Sequence, residues 1–286
     1  MKIDILQIQN EKRNEFEIRY NDTLQYKAKL PFVSIHDPLD LEKLKTIKIF
    51  DTSENEIYTT NYQYIENFKE EFIPMKFLVT GSQKFNQLLF ISNQKTIKIY
   101  YEDKAIWDNR YVIEINGKKY FCYSIQDGYI QHFPIYDGDI QIGEALKSNV
   151  VIDFKDEYCC YLKDTYESLS DGIVALLLYL DRSDYSSSYL VQKSYHLSKE
   201  YSYNKTNQFY DKEWVKNNFG DEFYLKVDEN VKFVKEKLRH PFKTLQEQWN
   251  SMPDKSKKLL RFVLFAPWII IFIILFIVLM GILFSH

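Results

Sequence analysis

The sequence predicts a mainly β fold of the α+β class. It comprises a closed β-barrel of about twelve strands around a buried hydrophobic helix, then a helical stalk and one transmembrane helix. Three observations carry this expectation. From residue 14 to 163, short β-rich runs alternate with turn clusters at spacings of about 8–12 residues. Ile173–Leu180 reads IVALLLYL and is apolar on every face. Phe262–Phe284 holds 23 residues without a charge.

Residues 1–185 make the predicted barrel domain. Phe16–Tyr20 alternates with period two, Asn21-Asp22 turns the chain, and Leu24–Leu30 returns. Further strands are expected at Thr46–Phe50, Glu56–Thr60, Phe77–Thr80, Gln87–Ser92 and Thr96–Tyr101. Tyr111–Ile115, Asn116-Gly117 and Lys118–Ile125 form the strongest hairpin signal, an Asn-Gly turn between alternating strands. Asp127-Gly128 leads into Tyr129–Phe133, and Asp137-Gly138 leads into Asp139–Lys147. Val150–Lys155 and Tyr158–Leu162 end the series. The opening MKIDILQIQNEKRNEFE has no long apolar run, so no signal peptide is expected.

A helix is expected over 171–182. Ala175 and the leucine run favour helix over a β-branched strand, and Ser170 or Asp171 can cap its N-terminus. A helix apolar all round must be enclosed by protein or lipid, and about eight apolar residues are too few to cross a bilayer. Threading it through a closed barrel meets both demands.

Three segments carry a family resemblance: Ile142-Gly143-Glu144-Ala145-Leu146-Lys147, then Asp156 to Leu162, then Asp171 to Asp181. Their order resembles the end of a tubby C-terminal-like domain, a superfamily that includes tubby proteins, LURP-one-related proteins and phospholipid scramblases. The likeness covers roughly residues 14–185, is strongest over 117–182, and does not extend to 186–261. It implies a 12-stranded barrel around a hydrophobic helix, and a module that contacts lipid or protein. The basic cluster of the tubby phosphoinositide site has no counterpart in residues 14–185, so no lipid-binding residue carries over. The acidic segment that scramblases place before the helix corresponds here to Asp164, Glu167 and Asp171. A polar loop and helix cap describe that stretch better than a calcium site.

Residues 186–210 are rich in Ser, Tyr and Asn and are expected as a linker; their aromatics could instead order on a partner. Residues 211–261 are expected as a basic helical stalk, with Val227, Val231, Val234 and Leu238 in one apolar stripe. For a stripe this short, packing on its own head is the commonest outcome. His240-Pro241 interrupts it, and Phe242, Leu245 and Trp249 start a second stripe. Between Lys232 and Arg261 nine basic residues stand against three acidic ones, so residues 232–261 carry +6 and residues 1–231 carry −9.

Residues 262–284 are expected to span a membrane, since 23 helical residues reach roughly 35 Å. Lys255, Lys257, Lys258 and Arg261 before the span, with Trp268 at its edge, are the candidate membrane-surface contacts. Their position orients the head to the cytoplasm, as a single-pass protein of the cell membrane. Cys122, Cys159 and Cys160 are too few for a disulfide framework and fit a reducing compartment.

Other chemistry is thin. Asp137-Gly138-Asp139 matches the start of a calcium loop but lacks the later glycine and acid. Cys159 and Cys160 face opposite ways in a strand and cannot share a metal. The five histidines are isolated, and no nucleotide, hydrolase or zinc motif occurs. No enzyme activity, cofactor, metal or nucleic-acid partner is expected. The expected partners are the phospholipid membrane, through the anchor and anionic headgroups, and a protein partner. Two alternatives stay open: scramblase-like lipid translocation, and an acidic scaffold for a basic protein.

Overall fold

The computed structural model describes residues 1–9, 13–31, 47–71, 83–93, 95–105, 108–152, 157–184, 195–202, 205–239 and 250. The chain divides into two compact units, 1–236 and 237–286. The strand expected at Phe77–Thr80, the second stripe of the stalk and the span 262–284 lie outside the described residues.

Sixteen strands are described. They are β1 (Lys2–Gln9), β2 (Arg13–Tyr20), β3 (Thr23–Pro31), β4 (Lys48–Asp51), β5 (Glu56–Tyr62), β6 (Gln83–Ile91), β7 (Thr96–Ala105) and β8 (Asp108–Ile115). There follow β9 (Lys118–Cys122), β10 (Ile125–Gly128), β11 (Ile130–Asp137), β12 (Ile140–Ser148), β13 (Val150–Ile152), β14 (Glu157–Leu162), β15 (Tyr195–Leu197) and β16 (Glu200–Tyr201). The helices are α1 (Tyr64–Glu71), α2 (Ser170–Asp184), α3 (Trp214–Phe219) and α4 (Glu222–Arg239).

Twelve of the strands close into an antiparallel barrel in the order β12-β14-β1-β2-β3-β4-β5-β6-β7-β8-β9-β11 and back to β12. Strand β11 makes the closure. Its C-terminal half pairs with β9, Ile135 opposite Cys122, and its full length pairs with β12. Its N-terminal half also carries β10, to which β16 adds. Strands β13 and β15 form a separate ribbon.

The hairpin turns behave as their residues require. Asn116 and Gly117 both have positive φ, 51° and 80°, the geometry of the Asn-Gly turn that joins β8 to β9. The turns after β2, β4, β6, β8 and β11 all fall at one end of the barrel, because each joins adjacent antiparallel strands. The same end receives the start of α2.

Strand β1 was not among the expected runs. It seats Ile3 and Ile5 inward, between Cys160 and Tyr158 of β14 on one side and Tyr20 and Ile18 of β2 on the other. Without it the ring stays open. Its alternation is blurred, since Leu6 and Ile8 occupy the outward positions and a buried Gln7 an inward one.

Helix α2 fills the barrel. Ile173 to Leu180 are all buried and pack with Ile5, Ile18, Ile97, Ile113, Phe133 and other inward residues of the wall. Burying each large aliphatic side chain contributes about 1.5–3 kcal/mol. Gly143 of β12 sits tight against the neighbouring strand: a Cβ there would lie 2.9 Å from the Tyr161 carbonyl oxygen. A side chain would push β12 off β14.

The outer wall over β12 and β14 is also apolar. Leu146, Val150, Cys159 and Tyr161 form a second core with Trp214 and Val215 of α3 and Phe223, Val227, Val231 and Val234 of α4. The valine stripe of the expected stalk thus packs on its own head. Leu238, last of the stripe, is exposed. The expected linker also carries regular structure, with β15, β16 and a short 3-10 turn at Lys205–Gln208.

Two substitutions test this architecture. Leu177→Ala should destabilise the fold by about 2–5 kcal/mol through the cavity left inside the barrel, read by chemical denaturation of the full chain in detergent. Gly143→Ala should cost about 1–3 kcal/mol by overpacking, whereas Lys119→Ala on the exposed face of β9 should stay within about 0.5 kcal/mol.

Candidate functional site

At the turn end of the barrel a cavity of about 540 Å³ opens beside the start of α2. Tyr26, Asp51, Glu56, Tyr58, Ser92 and Asp171 line it, with backbone and side chains of the adjoining strands. Asp171 organises this mouth. Its place in the first turn of α2 suits the positive end of the helix dipole. The Tyr58 hydroxyl donates to it at 2.7 Å, and those of Tyr20 and Tyr26 at 3.4 Å each. Lys95 Nζ donates at 3.4 Å to Oδ2, the oxygen Tyr58 also uses, while Tyr20 and Tyr26 share Oδ1; Lys95 donates as well to the Ser168 carbonyl at 3.2 Å.

The three tyrosines arrive there through strand register. Tyr20 and Tyr26 stand near the hairpin of β2 and β3, with ring centroids 5.7 Å apart in an edge-on arrangement. Tyr58 comes from β5. Burial, and then the Asp171 charge, pushes the Tyr20 phenol well above its ordinary range; the same causes raise Tyr26. Burial and the bond to Asp171 raise Tyr58. These phenols stay neutral and act as donors. Elsewhere on the rim, Asp51 accepts from the Asn55 side chain and from the backbone of Asn55 and Ser53, which holds its carboxyl below the usual range. Glu56 pairs with Lys48 at 2.7 Å. The mouth is a polar, open recess of hydroxyls and carboxylates, suited to binding a polar group.

Two further polar clusters sit elsewhere. At the other end of α2, the Tyr158 hydroxyl donates to Asp181 Oδ1 at 3.1 Å, and Lys147 Nζ lies 5.7 Å from the Tyr158 ring centre. Lys147 stands directly across from Tyr158 in the β12–β14 ladder. These residues belong to the three segments singled out in the sequence, and the fold brings them together inside the wall. On the outside, Glu144 is fully buried beneath residues 205–224. Its Oε1 lies 2.8 Å from His132 Nδ1 and accepts the Tyr210 hydroxyl; Gln141 Nε2 donates to Oε2 at 3.1 Å. Tyr210 Oη also lies 2.8 Å from His132 Nδ1. Both oxygens facing Nδ1 can accept from it, so the proton belongs on that nitrogen. The cluster fastens the covering segment to the wall.

The candidate membrane contacts Lys255, Lys257, Lys258, Arg261 and Trp268 all lie outside the described residues. The acidic stretch before α2 does not converge. Asp164 takes the Met1 amine at 2.6 Å, while Asp171 turns to its tyrosines and Lys95. Among the described residues, no three His, Cys, Asp or Glu side chains are placed to hold a metal ion. Asp137-Gly138 is a hairpin turn, with Asp137 paired to Lys118 at 2.7 Å. Cys159 and Cys160 do face opposite ways, but both are buried: Cys160 inside the barrel and Cys159 under α3 and α4. Burial raises the thiols of Cys122, Cys159 and Cys160, which suppresses nucleophilic character. No family model, curated protein or solved structure matches the chain.

The tyrosines around Asp171 were not legible in the sequence, where Asp171 reads as a helix cap. They come from strands more than a hundred residues upstream, and nothing local marks them.

A pH prediction follows from the raised phenols. Their folded-state values exceed the unfolded value of about 10, so the stability they contribute is present below about pH 10 and is lost as pH rises above it. Denaturation midpoints should fall steeply above about pH 10, and Tyr58→Phe should flatten that fall.

Proposed function

We propose that this chain is a non-enzymatic binding module of the tubby C-terminal-like type, held by its C-terminal segment at the cytoplasmic face of the cell membrane. The observation that carries the reading is the way two apolar stretches differ. Ile173 to Leu180 lie sheathed inside a closed twelve-strand barrel. The 23 uncharged residues 262–284 follow a basic run and have the length of a membrane span. The meeting of Lys147, Tyr158 and Asp181 at one end of the helix supports the family likeness, because those positions carry the resemblance. Neutral phenols and raised thiols favour binding over nucleophilic chemistry. The partners are anionic lipid headgroups and a protein ligand of the barrel. The separate engagement of Asp164 and Asp171 favours this reading over calcium-triggered lipid translocation.

Extraction of native membranes with alkaline carbonate tests the anchor. The full chain should stay in the pellet, and a chain ending at residue 261 should be released. Equal release of both would remove the anchor from the proposal. Dithionite quenching in reconstituted vesicles, with and without calcium, should show no lipid flipping above empty vesicles.

A further inference from the structure

The chain passes from the barrel into α4 beside a patch that no motif announces. Tyr129 lies in the turn between β10 and β11, half-buried. Lys199 Nζ stands 5.9 Å from its ring centre, and Lys235 Nζ of α4 stands 5.7 Å from the same ring. Lys199 also lies 5.5 Å from the ring of Tyr201, which is 66% exposed. Three segments distant in sequence thus bring two exposed lysines and two tyrosines to one surface. The side-chain hydrogen bond to Tyr201 raises the Lys199 amine, and the Asp127 carboxylate adds a smaller contribution. Two nearby carboxylates have closer partners of their own. Asp127 is paired with Lys212 at 2.8 Å, and Glu200 takes the Ser198 hydroxyl. Strand alternation turns Glu200 away from Tyr201.

We propose that this patch, Tyr129, Lys199, Tyr201 and Lys235, is the face on which the barrel rests against an anionic bilayer. The proposal rests on the membrane reading above and specifies which surface of the head meets the lipid. Cationic amines meet headgroup phosphates, and tyrosine rings favour the headgroup layer, where one edge is wet and the other apolar. The position of the patch at the opposite end from the hairpin turns fits this role. It lies beside the C-terminal half of α4, from which residues 240–261 lead to the uncharged stretch. That length of chain reaches roughly 70 Å when extended, ample for this end of the head to touch the surface. The Asp171 mouth, at the turn end, is then left open to the aqueous side.

The test uses the full chain in vesicles, with a fluorophore on a single introduced cysteine. The native cysteines are buried and leave the label to the new position. Lys232→Cys, exposed on α4 one turn before Lys235, reports the patch, and Lys119→Cys, on an exposed site at the turn end, reports the far side. With phosphatidylserine in the bilayer, acrylamide should quench the label at 232 about threefold less than the label at 119. The difference should vanish in pure phosphatidylcholine, and in the double variant Lys199→Glu/Lys235→Glu. Equal quenching at both positions with phosphatidylserine present would overturn the proposal. Protection at 232 that survives in phosphatidylcholine would overturn it in favour of a contact with protein. Release of the labelled chain by carbonate would overturn the membrane reading and this proposal with it; retention with equal quenching overturns this proposal alone.

Discussion

A helix with no polar face must be walled off from water on all sides, and the rest of the described fold answers that requirement. An open sheet covers one side of a helix; a closed barrel covers every side and leaves no unpaired strand edge in the ring. Closure here needs partners far apart in the chain. The first strand bridges Tyr158–Leu162 to the Phe16–Tyr20 strand, and the strand Ile130–Asp137 is shared between both sides of the seam. The helix carries its polar groups at its ends. Asp171 meets tyrosine hydroxyls and a lysine at the turn end, and Asp181 meets Tyr158 at the other. Asp171 thereby obtains the hydrogen bonds that half-buried charge demands.

The wall is apolar on both faces where it is covered twice. Along Glu157–Leu162, Tyr158, Cys160 and Leu162 serve the inner core, and Cys159 and Tyr161 serve the outer one. This accounts for a strand without the usual polar-out alternation. It also makes the helices of 214–236 part of the head. Their docking joins apolar burial to a set of polar fasteners: Tyr210 on the Glu144–His132 pair, Lys212 on Asp127, and Lys226 on Glu157 at 2.6 Å. Losing the Tyr210 hydroxyl would leave the buried Glu144 short of a hydrogen bond, so the cover and the wall are energetically coupled.

Much of the fold was legible because its signals are local. The Asn-Gly turn, the period-two strands and the all-apolar helix each announce themselves over a few residues. The failures share a cause. Lys2–Gln9 was missed because its alternation is blurred and one of its two partners lies some 150 residues away. Residues 195–202 looked like a linker because their order comes from pairing with Val150–Ile152 and Asp127-Gly128. The burial of Cys159 was not legible because nothing in its strand shows that α4 returns to cover it.

The sequence by itself determined that an all-apolar helix needs enclosure and that strands enough to enclose it precede it. These follow from composition and periodicity, which hydrophobicity reads residue by residue. Only the tertiary structure decided which side chains meet. The four-partner cradle of Asp171 and the lysines on Tyr129 are assembled by barrel register and by the path of the covering helix. Such positions depend on pairings across the whole chain, and no local pattern encodes them.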